Sequence, residues 1–157
     1  MVFVIHTKSQ EKKQVKIIRL RTNQIAEMDS ARFWFDWSEE IRFGVFALRF
    51  QETGEYLGLM SLEDHIAESR IEIRLLAAAR ENVGKEKVYH RVVTNLIAYA
   101  CRQSLEKYGS IACVSLIPKT ELREYYKRSY GMFDAGISLC LDGQELIDLI
   151  TRCFYNE

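Results

Sequence analysis

Residues Arg70-Ile71-Glu72-Ile73-Arg74-Leu75 alternate apolar and charged side chains at period two, the mark of a half-buried strand. A long helical stripe begins soon afterwards: Val88, Val92, Leu96, Tyr99 and Cys101 recur at helical spacing, widened by Val93, Ile97 and Ala100. Then comes Ala112-Cys113-Val114-Ser115-Leu116-Ile117, an almost wholly apolar run that suits an interior strand covered on both faces. Strand, long helix and strand in this order form a crossover, which joins parallel neighbours in one sheet. This triplet directs the chain to an α/β fold and sets residues 70–77 beside residues 111–117.

The remaining elements fit around it. Residues 2–6 and 15–20 read as strands separated by a polar loop at 8–13, and Asn23 is placed to cap a short helix running to Met28. Phe33, Trp34, Phe35 and Trp37 put four rings into five positions with no simple period. Such rings either pack the early helices on the sheet or line an entrance for substrate. Residues 45–50 and 56–62 form a hairpin around Glu52-Thr53-Gly54-Glu55. After Leu75 the alternation fails in Leu76-Ala77-Ala78-Ala79, which reads as a bulge or an early helix; a bulge there would present backbone donors to a ligand. The long helix, starting at about Val88, ends at Tyr108-Gly109. Pro118, the only proline, stops the following strand and opens a helix to about Tyr130, closed by Gly131. A strand at 137–141, a turn at Asp142-Gly143 and a helix at 144–154 complete the expectation. It is a single domain over residues 1–157, with a mixed central sheet of five to seven strands.

Composition narrows the function classes. At 157 residues and 48% hydrophobic, the chain supports one core. Its 22 basic and 22 acidic residues balance to zero, which argues against a surface for nucleic acid, since such surfaces need excess positive charge. Lys12, Lys13 and Lys16 have no aromatic platform beside them. No apolar run is long enough for a membrane span, and the apolar start reads as a strand rather than a leader, so a cytoplasmic location is expected. Cys101, Cys113, Cys140 and Cys153 form no CxxC pair and sit among apolar neighbours, so they read as buried thiols, with no metal site expected.

Gly84-Lys85-Glu86-Lys87, just before the expected helix start, offers a tight turn, positive charge and backbone donors to a phosphate. Later, Tyr125-Tyr126-Lys127-Arg128-Ser129-Tyr130-Gly131-Met132 clusters phenols on a short helix. From about residue 46 to 141 these motifs, in this order, resemble the GNAT superfamily of acyl-CoA-dependent N-acetyltransferases. The tyrosine-rich segment is similar to that family's late tyrosine–lysine–glycine–aromatic motif, with Met132 where phenylalanine is usual. The resemblance implies a GNAT-like fold whose strands 71–77 and 112–117 splay apart around the pantetheine arm, with the pyrophosphate on the helix start. It also implies transfer of an acetyl group from acetyl-CoA, as co-substrate, to a primary amine on a small molecule or peptide. The implied cofactor-binding positions are Leu76, Ala77, Gly84, Lys85, Lys87, Val88, Tyr89 and His90, with the backbone N–H of Leu76 or Ala77 on the thioester carbonyl. One departure is visible: if Lys85 stands for the family's first basic residue, the small positions fall on Val88 and His90.

Within that resemblance, an amine must lose a proton before it attacks. Glu72 on the central strand is the first candidate base, with Glu63 and Glu81 as substitutes. Tyr126 resembles the general acid for the CoA thiolate, and Tyr125 and Tyr130 are alternatives. Leu122 and Tyr126 share a helix face four residues apart, so Leu122 is expected to anchor that face to the sheet. His90 is expected at the surface. The alternative is a catalytically inactive GNAT-like fold, a binding module that presents the aromatic cluster at 33–37 to a partner or a homodimer.

Overall fold

Two antiparallel strands, β1 (Phe3–His6) and β2 (Lys12–Arg19), pair with Phe3 opposite Gln14 and Ile5 opposite Lys12. The computed structural model describes residues 2–155. Helix α1 (Thr22–Ala26) starts one residue before the expected cap, because the Gln24 side chain reaches back to the Arg21 N–H at 2.8 Å. Helix α2 (Ser30–Phe33) is capped by Asp29, whose carboxylate accepts from Ala31 N at 2.9 Å. A 3₁₀ turn at Trp37–Glu40 follows, then the hairpin strands β3 (Gly44–Phe50) and β4 (Tyr56–His65).

The central strand is β5 (Arg70–Ala78). It stays extended through Leu76 and Ala77, so the early-helix alternative is wrong there. Strand β6 (Tyr89–His90), helix α3 (Val92–Tyr108), β7 (Cys113–Leu116), α4 (Arg123–Tyr130), β8 (Phe133–Ala135), β9 (Ser138–Asp142) and α5 (Gly143–Ile150) complete the order, with a π-helical turn at Thr151–Tyr155.

Among the described residues the sheet has nine strands in the order β6-β1-β2-β3-β4-β5-β7-β9-β8, against the five to seven expected. The two extra strands, β6 and β8, are the edges; edge strands this short carry no alternation for a sequence pattern to reveal. The expected crossover is present. β5 and β7 run parallel, with Arg70 opposite Cys113 and Ile73 opposite Leu116, while β7–β9 and β8–β9 are antiparallel. The β5–β7 register ends at that last pair, whereas β5 itself continues to Ala78.

The chain packs as two compact units. The first takes residues up to Ser61 together with Leu75–Leu96. Its core gathers Leu20, Ile25, Phe33, Trp37, Val45, Ala47, Leu59, Ala77 and Ala79. The second takes Leu62–Arg74 and the residues from Ile97 onward. Within it Cys101, Val114, Leu139, Leu141, Leu146 and Cys153 are buried, and α4 and α5 pack on β9. All four cysteines are free thiols; Cys101, Cys140 and Cys153 are buried and Cys113 is half-buried. Burial, then the neighbouring Cys140, pushes the Cys113 thiol up to about 12. No helix among the described residues is long and apolar enough to cross a membrane.

In the first unit, Gly58 lets α3 approach the sheet. A Cβ there would lie 2.7 Å from Val92 Cγ1 and 3.0 Å from the Ala77 carbonyl oxygen, and the carbonyl has no freedom to retreat. Gly58→Ala is therefore expected to lower unfolding stability by about 1–3 kcal/mol, as overpacking does. Urea denaturation measures this. A variant as stable as the parent would show that α3 can lift away from β4 at no cost.

Candidate functional site

In β5 the side chains change faces between Arg74 and Leu75. Glu72 and Arg74 reach His65 and Glu63, which share their parity on β4 with Ser61 and Leu59. Leu75 and Ala77 pack in the cluster that contains Leu59. Two successive residues, Arg74 and Leu75, thus occupy one face, which is the signature of a bulge. A buried relay holds it. Ser61 Oγ accepts from Leu75 N at 3.2 Å and donates to the buried Glu40 carboxylate at 2.7 Å. The bulge read from the failed alternation is present, one residue earlier than expected. Beyond it Leu76 is half-buried, Ala77 is buried, and the Ala78 carbonyl accepts from the Trp34 indole at 2.8 Å.

The expected helix start is displaced. α3 begins at Val92, not at Val88. Val88 N donates to the Glu81 carbonyl at 2.9 Å, Tyr89 N to Asn82 Oδ1 at 3.0 Å, and Tyr89 and His90 pair with β1, which keeps this stretch extended. Gly84, with φ of 84°, and exposed Lys85 lie in the turn that precedes β6, and Lys87 closes that turn through its N–H to the Gly84 carbonyl. Val88 is exposed, and Tyr89 packs edge-on against His6 and Phe50, at centroid distances of 5.3 and 5.2 Å. His90 is exposed, as expected. A cavity of about 420 Å³ in this unit is walled by Phe50, Tyr89, Lys13, Glu52 and Glu55, and contains only Tyr89 of the expected positions. The residue that immediately precedes α3 is Arg91, at φ 81°. An arginine thus occupies a left-handed conformation that favours glycine. The first turn of α3 leaves the N–H groups of Val92 and Val93 without an intrahelical acceptor.

The second unit assembles charged groups at the end of β4 and the start of β5. His65 Nε2 lies 2.8 Å from Glu72 Oε1 and 3.9 Å from Glu63 Oε1. Arg74 donates to Glu63 at 3.0 Å, and Arg70 donates to Ser115 Oγ at 2.6 Å and lies 3.9 Å from Glu72. Glu63, His65 and Glu72 are close enough to surround a cation. The guanidiniums on both carboxylates already supply the positive charge there. Glu81 is bonded through both oxygens to Arg32, which holds its carboxyl below the usual range and makes it a weaker base than an unpaired glutamate.

On α4, Tyr126 is half-buried, with its ring 5.8 Å from those of both Tyr125 and Tyr130. Burial, then the neighbouring Tyr125, raises its phenol above the ordinary value. Tyr130 is 7% exposed and Tyr125 is at the surface. The expected anchor is corrected: Leu122 is 39% exposed and lies in the 3₁₀ turn Thr120–Leu122 before α4, where the helical face assumed for it does not exist.

No family model matches the sequence, and no curated protein matches it. Solved structures do. A GNAT family acetyltransferase from Elizabethkingia anophelis with acetyl-CoA bound superposes with a TM-score of 0.60 at 12% identity, over 82% of this chain and 97% of that one. A GNAT family acetyltransferase from Bacillus cereus ATCC 10987 gives 0.55 at 9% identity, over 83% and 98%. AtaT, complexed with acetyl-methionyl-tRNAfMet, gives 0.58 at 15% identity, over 87% and 99%. The chain has the GNAT acetyltransferase fold.

Two features of this GNAT fold escaped the sequence reading. The β-branched and aromatic pair Val88-Tyr89 signals a strand before α3, against the helical spacing that Val88 shares with Val92. His65 lies in the polar run Glu63-Asp64-His65, and ending β4 at Leu62 removed it from view. Continuing period two past Ser61 would have put Glu63 and His65 on one face.

Proposed function

We propose that this chain transfers an acetyl group from acetyl-CoA to a primary amine on a small molecule or peptide. The observation that carries the reading is the GNAT fold with its parallel β5–β7 pair, whose register stops at Ile73–Leu116 while β5 continues through Leu76 and Ala77. In this reading the backbone N–H of Leu76 or Ala77 meets the thioester carbonyl as negative charge develops. The pyrophosphate takes the N–H groups of Val92 and Val93 at the start of α3. Gly84, Lys85 and Lys87 act from the turn before β6 rather than from the helix. Glu72 belongs to the group that removes the amine proton, and Tyr126 returns a proton to the departing thiolate.

Calorimetric titration with CoA tests the cofactor half. The wild type is expected to release heat and saturate. Val93→Pro, which deletes one first-turn donor that has no intrahelical acceptor, is expected to weaken binding about tenfold, because a hydrogen bond to a charged group is worth roughly 1.5–3 kcal/mol. Charge reversal at Lys85 and Lys87 together is expected to weaken it as well. No heat at millimolar CoA would leave a GNAT fold without its cofactor. The reading would then pass to a binding module that presents the exposed rings of Trp34 and Phe35. An acceptor screen by thiol release should include aminoacyl-tRNA beside small amines and peptides, since AtaT is held with an acetylated one.

A further inference from the structure

We propose that His65 is the group that takes the proton from the acceptor amine, with Glu72 as its positioning carboxylate. This rests on the acetyl-transfer reading and assigns the base within it. His65 closes β4 and Glu72 lies on β5, and the two meet at 2.8 Å between Nε2 and Oε1. An ionised carboxylate only accepts, so Nε2 carries the hydrogen and, in the neutral ring, the lone pair is at Nδ1. Glu63 Oε1, at 3.9 Å, also lies on the Nε2 side. The ring is thus held by one nitrogen and offers the other.

Glu72 is the less suitable proton acceptor. Its Oε1 is engaged by His65 and faces Arg70 Nη1 at 3.9 Å. Protonating Glu72 would remove the negative charge that holds the ring and leave Arg70 facing a neutral acid. A proton placed on Nδ1 keeps every existing contact, and the new imidazolium charge sits between two carboxylates. The charged groups around the ring are Glu63 and Glu72, with Glu68 and Asp64 also near it, Arg74 on Glu63 and Arg70 on both Glu68 and Ser115. The Asp64 carboxylate is itself bonded to Lys107 and Tyr108. His65 is half-buried, so the ring is both fixed and reachable.

The step balances. The ammonium proton passes to His65 Nδ1, and the freed lone pair forms the C–N bond at the thioester carbon. The C–S bond then breaks with its electron pair on sulfur. The second nitrogen proton ends on that sulfur by way of Tyr126, and His65 releases its proton to solvent.

The test compares two probe amines with acetyl-CoA, read as thiol release at pH 7: n-butylamine, which is protonated there, and hydroxylamine, which is already neutral. His65→Gln is expected to lose about 100-fold on n-butylamine, the scale of general base catalysis, and to keep its hydroxylamine rate within about twofold. Glu72→Gln should show the same selectivity with a smaller loss. Equal losses on both amines mean that His65 only supports the fold, and equal rates to wild type on both mean that it does nothing; either result overturns the proposal while leaving acetyl transfer standing. A wild type that binds no CoA and acetylates neither amine removes the acetyl-transfer reading itself, and this proposal with it. Should the enzyme bind CoA but refuse both probes, nitrogen NMR of the His65 ring decides: hydrogen on Nε2 supports the assignment, and hydrogen on Nδ1 overturns it.

Discussion

Replacing Trp37 with alanine is expected to cost about 3–5 kcal/mol of stability, the range for deleting a large buried aromatic side chain. In a chain of this length that corresponds to a fall in Tm of roughly 10 °C. Trp37 is 1% exposed, its indole donates to the Phe33 carbonyl at 3.0 Å, and it packs with Phe33, Ile25, Val45 and Leu59. Trp34, three residues earlier, is 40% exposed. Its indole donates to the Ala78 carbonyl and its ring lies under the Arg80 guanidinium at 3.8 Å. Trp34→Ala should therefore cost about 1 kcal/mol, the worth of one hydrogen bond. Thermal unfolding of the two variants side by side makes the comparison. Equal losses would mean that the two rings share one environment, contrary to the burial described here.

That pair shows why the aromatic cluster resisted a reading from sequence alone. Trp34 stands at φ 76°, so the chain leaves α2 through a left-handed residue and restarts in a 3₁₀ turn capped by Asp36. A segment that reverses its backbone within four residues has no period: Phe33 and Trp37 pack in the core, while Trp34 and Phe35 are exposed. The central crossover was legible because Ile71, Ile73, Val114 and Leu116 repeat faithfully over whole elements. The start of α3 was not legible, since the extended stretch before it depends on β1, more than eighty residues away in sequence, and on the Asn82 side chain. The proposed acid–base residues were half legible. Glu72 follows from its place on the central strand. His65 becomes visible only when β4 and β5 lie side by side, because no local pattern links residues 65 and 72.

The acid offers the other large effect. If acetyl transfer is the activity, Tyr126→Phe is expected to lower turnover by about 10²- to 10⁴-fold, the span for a lost general acid, with little change in CoA affinity. The choice of Tyr126 over its neighbours follows from burial. Tyr130 is enclosed at 7% exposure, and Tyr125 faces solvent. Tyr126 lies between these extremes, and burial with Tyr125 beside it raises its phenol above the ordinary value of 10.0. The sign of the pH dependence follows. A phenol donates only while protonated, and a raised pKa extends the protonated form to higher pH. Turnover should therefore hold through the neutral range and fall only above the ordinary phenol value, and Tyr126→Phe should abolish that alkaline fall along with the rate. Tyr130→Phe removes a buried hydroxyl, so it should lower stability rather than turnover. A large turnover loss in Tyr130→Phe with an intact Tyr126→Phe enzyme would move the acid to the buried ring. No loss in either would leave solvent as the proton donor, which a thiolate, already a good leaving group, can accept.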